Sequence, residues 1–320
     1  MRILLVARYK QGFKKHMMPF VDEQGEAIRS LGNEVDYFLV EGKGLLSYFS
    51  AKKSFLQKIK SFNPDIVHAH YGLSGITAVL QEKVPVVTTF HNGETLGFKQ
   101  NLLSSAFSLK ASYMVYVAQH IYDKAYFKRK DDFSIIPCGV NLDECVITDY
   151  DKARIELGFE KKKKYILFGG AFENLRKNYP LLKKSIELLQ RDDIVVLEMK
   201  GLTRPEVSKL MSACDLFALP SKSEGSPQAL KEAMACNCPI MATDVADIRH
   251  LLGDVKGHFI CSFEPENVAS ALNSALDFEG RTLGRNRIIE LGLENRQVAE
   301  KLVRIYERVL CGEYCINRNQ

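Results

Sequence analysis

A short apolar run, a polar or glycine-bearing turn and a stretch with helical spacing recur along the chain, as strands alternate with helices in parallel α/β sheets. Residues 3–7 open the series. Residues 22–31 have helical character until Gly32, a C-cap residue, ends them, and 34–40 read as the next strand. Asn63 and Pro64 break the following helix before a strand at 65–69, and runs at 84–90, 113–117 and 133–136 follow at α/β spacing. These runs predict one sheet. After Pro137-Cys138-Gly139 the pattern loosens, and a second series starts at 165–168 and continues at 194–198, 216–219, 239–242 and 258–260. Helices at 265–276, 281–291 and 294–310 close the chain. The expected fold class is α/β, with two doubly wound Rossmann-like domains at 1–142 and 143–294. In such sheets ligands bind at the carboxyl ends of the strands, so two facing domains would form one cleft.

A length of 320 residues suits two domains, and 46% apolar with 26% charged residues is ordinary globular composition, which argues against a disordered or fibrous chain. No apolar run approaches the roughly 18 residues of a spanning helix, and 3–7 is too short for a signal-peptide core, so the chain reads as cytoplasmic. The eight cysteines include no C-x-x-C pair; Cys236/Cys238 and Cys311/Cys315 do not match zinc-site spacing, which points to reduced thiols. The net charge of +5 is uneven: residues 1–142 carry 18 Lys and Arg against 12 Asp and Glu, and the remainder carries 26 against 27. A first half with net positive charge suits an anionic partner, such as a phosphorylated acceptor or a headgroup layer.

The segment Leu219-Pro-Ser-Lys-Ser-Glu-Gly-Ser-Pro-Gln-Ala-Leu-Lys-Glu-Ala-Met-Ala-Cys follows a strand, passes a Gly/Ser/Pro loop and enters a helix. Loop amides and the helix N-terminus offer unpaired N–H groups and a partial positive charge, which suits a pyrophosphate. Gly225, Ser226 and Pro227 form that turn, with Pro227 suited to the first helical turn. Glu232 lies one to two turns in and leans toward the N-terminus, where its carboxylate can accept hydrogen bonds from a ribose diol. Glu224, on the loop itself, is placed to bond sugar hydroxyls.

Glu224 and Glu232, separated by seven residues, resemble the E-x7-E signature of the family 4 retaining glycosyltransferases, and the flanks from Pro220-Ser221 through Ala242-Thr243-Asp244 resemble that family's donor site. The resemblance extends through Asp65-Ile-Val-His-Ala-His-Tyr-Gly, Val87-Thr-Thr-Phe-His-Asn-Gly-Glu and Ile136-Pro-Cys-Gly-Val-Asn-Leu-Asp. It implies a GT-B fold, with the last helix, about 295–320, packing back on the first domain. It implies that His91 bonds the transferring sugar, and that Lys177, before Asn178, neutralises the donor diphosphate. Relatives often carry Gly-Ser-Asp after that histidine, where this chain has Asn92, Gly93 and Glu94. Where relatives carry an arginine after the first strand of the second domain, this chain reads Phe168-Gly-Gly-Ala-Phe; Gly170 then lies at the donor, and Arg176 is the cation available to replace the missing charge.

The resemblance thus implies transfer of a sugar, with retention, from a UDP- or GDP-linked donor to a glycan or lipid-linked acceptor, as in bacterial surface polysaccharide assembly. No cofactor, metal or nucleic acid is expected. His68 and His70 alternate on one strand near His91, but no carboxylate or cysteine stands at ligand spacing. The G-x-G-x-x-G of a dinucleotide site is absent from Arg8-Tyr-Lys-Gln-Gly-Phe-Lys-Lys, and Gly72-Leu-Ser-Gly75 reads as a chain turn. Two alternatives stay open: a nucleotide-sugar epimerase of the same architecture, and a non-catalytic relative that binds nucleotide-sugar or glycan. Lys10, Lys14 and Lys15 flank Phe13, Met17, Met18 and Phe20 after the first strand, a mixture that suits peripheral contact with a membrane.

Overall fold

The computed structural model describes residues 1–13 and 15–312, with Glu94 described by its backbone alone. The chain forms two compact units, Met1–Gly139 with the segment from Asn295 onward, and Val140–Glu294.

The first unit carries a six-stranded parallel sheet of β1 (Arg2–Arg8), β2 (Glu34–Val40), β3 (Ile66–His70), β4 (Val86–Phe90), β5 (Tyr113–Tyr116) and β6 (Phe133–Ile135), in the order β2-β1-β3-β4-β5-β6. The central strands are apolar on both faces because helices cover both, and Ile3 to Val6 are fully buried. The helix Asn295–Leu310 presents Val298, Leu302, Ile305, Tyr306 and Val309 at helical spacing to Ile3, Leu5, Val21 and Ile28. The helix Pro19–Ser30 begins three residues earlier than its hydrophobic pattern suggested, because Pro19 occupies the first turn, where its missing N–H costs nothing. Strand order reverses between β1 and β3, so the loops after these strands flank the sheet's crevice.

Those loops correct one expectation. Met17 is buried in the core, Met18 and Phe20 pack against it, and Lys15 bonds to Asp22 at 2.7 Å and Glu26 at 2.9 Å. Of the apolar side chains expected to meet a membrane there, Phe13 alone stays exposed. Lys14 lies outside the described residues, as do Cys315 and the end of the 295–320 segment beyond residue 312.

The second unit carries β7 (Lys164–Phe168), β8 (Ile194–Glu198), β9 (Leu216–Leu219), β10 (Ile240–Thr243) and β11 (His258–Cys261), all parallel, in the order β11-β10-β9-β7-β8. Its reversal falls between β7 and β9. The helix expected at 281–291 runs only over Gly284–Glu290, because Arg281 bonds the carbonyls of Cys214 and Met211, and the Thr282 hydroxyl accepts from Gly284 N. Cys214, Cys236 and Cys238 pack in this unit's apolar core.

Asp215 joins β7 to β9 at their amino ends. It accepts from Tyr165 N at 2.8 Å, Tyr150 Oη at 2.9 Å, Arg154 at 3.0 Å and Lys164 at 3.2 Å. Arg154 is itself buried and also donates to the carbonyls of Glu160 and Lys163. Removing the carboxylate leaves that guanidinium buried without its counter-charge, so Asp215→Ala should lower the unfolding free energy in urea by about 3–5 kcal/mol. A loss below about 1 kcal/mol, the scale of a surface pair, would contradict a structural role for this network.

Candidate functional site

In the second unit the site lies on the loops that follow β7 and β9, on either side of the strand-order reversal. After Phe168 the chain continues through Gly169 and Gly170, and a Cβ on Gly170 would stand 2.7 Å from Lys177 Cγ. Gly170 thus leaves room for the lysine stem. Asn178 follows with φ of 63°, a left-handed conformation that asparagine tolerates better than most residues, and the helix Tyr179–Leu189 starts there. On the other loop Thr243, at the end of β10, donates to Ser221 O at 2.7 Å, and Lys222 N donates to Arg176 O at 2.9 Å. These bonds fix the two loops side by side.

Between them lies the Glu224 carboxylate. Lys177 Nζ reaches Oε1 at 2.8 Å, Ser221 Oγ donates to the same oxygen at 2.7 Å, and Arg176 reaches Oε2 at 2.8 Å. The structure brings together three residues singled out in the sequence, in a form the sequence did not suggest: both cations, the mostly buried Lys177 and the exposed Arg176, meet on one buried carboxylate. Burial pushes the Glu224 carboxyl up, but the Lys177 and Arg176 charges and the hydrogen bonds outweigh it and hold it below the usual carboxylate range.

The helix after this loop spans Gln228–Ala235 with Pro227 as its N-cap and no side chain capping its first turn. Ser226 Oγ is buried without a hydrogen-bond partner among the described residues. Gly225 and Pro227 are buried beside it. An uncapped helix start next to an unpartnered hydroxyl is a fit for an anionic oxygen. Glu232, one turn in, is buried and pairs with the Arg204 guanidinium. Burial raises its carboxyl above the usual range, against the opposing charges of Arg204 and of Lys231, which is itself fully buried.

Sequence reasoning did not find Arg204. It begins the helix Arg204–Ala213 after β8, where Thr203 and Glu206 form a capping box. The one local hint was its place in a first helical turn, where the dipole disfavours a cation unless an anion meets it; that the anion is Glu232 is not encoded by any local spacing.

His91 belongs to the first unit and directly follows β4. Its Nε2 lies 3.2 Å from His70 Nδ1 and its Nδ1 lies 3.7 Å from Cys138 Sγ, with the Tyr71 and Phe20 rings 4.6 and 4.7 Å away. Tyr71 has φ of 69°, a conformation that costs a residue with a Cβ on the order of 1–3 kcal/mol and that concentrates at functional sites. His68 bonds Tyr306 Oη at 2.6 Å and Thr89 Oγ1 at 2.7 Å. Burial drives His68 well below the ordinary imidazole range and His70 down to about 3, so both are neutral at physiological pH; His70 contacts His91 directly, and His68 stacks on His70. No three His, Cys, Asp or Glu side chains are grouped to hold a metal ion among the described residues.

Two family models match the chain, one to each unit: Glycosyltransferase Family 4 over residues 19–144 and Glycosyl transferases group 1 over residues 164–277. Among solved structures, sucrose-phosphate synthase from Thermosynechococcus elongatus superposes with a TM-score of 0.80 at 16% identity, over 98% of this chain and all of that one. The Anabaena protein HepE in complex with UDP and glucose gives a TM-score of 0.74 at 13% identity, over 96% of this chain and all of that one. These likenesses define the fold as GT-B. The chain belongs to the group 1, family 4 glycosyltransferases. A curated relative from Bacillus subtilis, a candidate teichuronic acid biosynthesis glycosyltransferase, is 28% identical over 224 residues, which is 61% of this chain and 57% of that protein. The matches span 57 to 65% of the length of the first curated relatives.

The Glu224 cluster carries a pH signature. Because its carboxyl is held below 4.5, its stabilisation is fully present above that value and is lost as pH falls through the lower folded value. Glu224→Gln should destabilise the chain by about 1–3 kcal/mol at neutral pH, through two cations left without their charge partner. Urea unfolding at several pH values should show this difference shrinking under acid; a difference independent of pH would contradict the assignment.

Proposed function

We propose that this chain transfers a sugar, with retention at the anomeric carbon, from a UDP- or GDP-linked donor to a glycan or lipid-linked acceptor in bacterial surface polysaccharide assembly. The observation that carries this reading is the pairing of Lys177 and Arg176 with Glu224 beside an uncapped helix start, at the strand-order reversal of the second unit. The name of the Bacillus relative and the UDP and glucose bound to the Anabaena protein support the donor and pathway classes. Residues 143–294 would bind the donor and 1–142 the acceptor, with the enzyme at the cytoplasmic face of a membrane; no helix among the described residues is long and apolar enough to cross one.

In this reading the donor diphosphate takes the Lys177 and Arg176 charges away from Glu224 and accepts from the first-turn amides and Ser226 Oγ. Glu224, released from its cations, accepts from a sugar hydroxyl. Glu232 accepts from the ribose diol, with Arg204 beside it to keep it ionised against burial. His91 bonds the transferring sugar. The bond from the anomeric carbon to the phosphate oxygen breaks as the acceptor oxygen bonds the same face, and the acceptor's proton passes to the departing phosphate. The two cations and the helix amides stabilise the negative charge that develops there.

Isothermal titration with a panel of UDP- and GDP-sugars should find one that binds, and Glu232→Gln should weaken that binding about 10- to 100-fold, since bonds to a charged acceptor are worth about 1.5–3 kcal/mol. Unchanged affinity would remove Glu232 from the donor site. Turnover should also survive EDTA, because Lys177, Arg176 and the helix amides balance the diphosphate without a divalent ion. Loss of activity on chelation, restored by manganese, would overturn that charge balance.

A further inference from the structure

The loop after β1, where the sequence suggested a lipid contact, is packed and ion-paired, but another face of the first unit has the composition that loop lacks. Immediately beyond His91 the chain forms the helices Gly93–Leu96 and Phe98–Ser108. Phe98 is 68% exposed, Leu96 56% and Tyr126 50%, and Leu102 and Phe127 are also exposed. They are neighbours in space: the Phe98 and Tyr126 rings meet at a tilt with centroids 5.6 Å apart, and Asn101 holds the 124–126 segment against the helix by bonding Lys124 O at 2.8 Å and Tyr126 N at 3.1 Å. Leu102 lies one turn from Phe98 on the same helix face. This face is built to stay out. Asn101 is buried and fully used in fastening the loop, so the aromatic side chains do not project for want of a fixed backbone.

Cations flank the apolar residues along the chain. Lys99 follows Phe98, Lys124 precedes Tyr126, and Lys128 and Lys130 follow Phe127. Among the described residues none of these four lysines pairs with a carboxylate; Lys128 donates to the carbonyls of Tyr122 and Asp123, while Asp132 is occupied by Arg129. Asp123 and Asp131 lie on the same stretch and leave the lysines in excess. Exposed large apolar side chains ringed by lysines complement an anionic lipid surface, where charge draws the face to the headgroups and the aromatic rings enter between them. A soluble anionic ligand would have no use for the apolar side chains, and an apolar partner none for the lysines.

We propose that the face formed by Leu96, Phe98, Leu102, Tyr126 and Phe127 docks on an anionic bilayer. Since this face starts a few residues past His91, docking would favour an acceptor carried on a lipid; that corollary rests on the glycosyltransferase reading, and the docking itself does not. Sedimentation of the full chain with vesicles of phosphatidylcholine alone, or of equimolar phosphatidylcholine and phosphatidylglycerol, tests it without donor or turnover, so its failure leaves the catalytic reading standing. Binding should require phosphatidylglycerol and weaken at high salt. A combined Phe98→Ser, Tyr126→Ser and Phe127→Ser variant should bind about tenfold or more weakly while staying folded with a melting temperature lower by about a few degrees, since Phe98 is mostly in water and Tyr126 and Phe127 are only half buried. A Lys99→Glu, Lys124→Glu variant, which keeps the apolar face, should lose binding at low salt. Three results would overturn the proposal: no sedimentation with anionic vesicles at low salt, binding that survives both variants, or a dimer in light scattering abolished by Phe98→Ser, which would assign the face to a second copy of the chain.

Discussion

The buried carboxylate of Glu224 is the point on which the second unit's site depends. A charge so far from water persists only when paired, and here Lys177, Arg176 and Ser221 all bond it. Because the cations follow β7 and the carboxylate follows β9, the same bonds hold together the loops on either side of the strand-order reversal. Asp215 makes an equivalent junction at the amino ends of these strands, through Tyr165 N and Arg154. The site is therefore clamped at both ends of one strand pair, with the functional groups at the carboxyl end.

If the diphosphate binds where we propose, this arrangement answers the problem of how to keep cations ready when no anion is present. Two adjacent cations repel each other; the Glu224 carboxylate neutralises them and holds their side chains together. The two glutamates differ in consequence. Glu224, with two cations, is held below the usual carboxylate range, whereas Glu232, more deeply buried with one bonded arginine, is raised. The first unit has no such charge: His68 and His70 are buried, neutral and hydrogen-bonded, and His70, backed by His68, holds the His91 ring without a charge of its own.

Much of this was legible in the amino-acid pattern because parallel strands buried on both faces write themselves as short apolar runs, and each of the eleven described strands stands within two residues of where those runs lie. β4 starts two residues late, after the Pro85 that cannot donate to a ladder. The Glu224 and Glu232 positions were visible through a motif of fixed spacing on one strand, loop and helix, and Lys177 through a separate segment after β7. Arg204 was not, because its importance arises from a loop after β8 meeting a helix after β9, a contact that no local spacing encodes. The loop after β1 misled for a related reason. Met17, Met18 and Phe20 follow Lys14 and Lys15 closely in a way that reads as a surface, and only the position of β1 inside the sheet turns them inward. The exposed face around Phe98 was hidden by the opposite effect, since Phe98 and Tyr126 stand far apart in the chain and become one patch through Asn101.

The most direct test is a crystal structure with the nucleoside diphosphate, among UDP, GDP and ADP, that most raises the melting temperature. The account requires Lys177 Nζ to have moved from Glu224 to a phosphate oxygen, with the other phosphate oxygens at Ser226 and the first-turn amides of Gln228–Ala235, and with Glu232 at the ribose. A diphosphate bound elsewhere, with Lys177 and Arg176 still on Glu224, would contradict it.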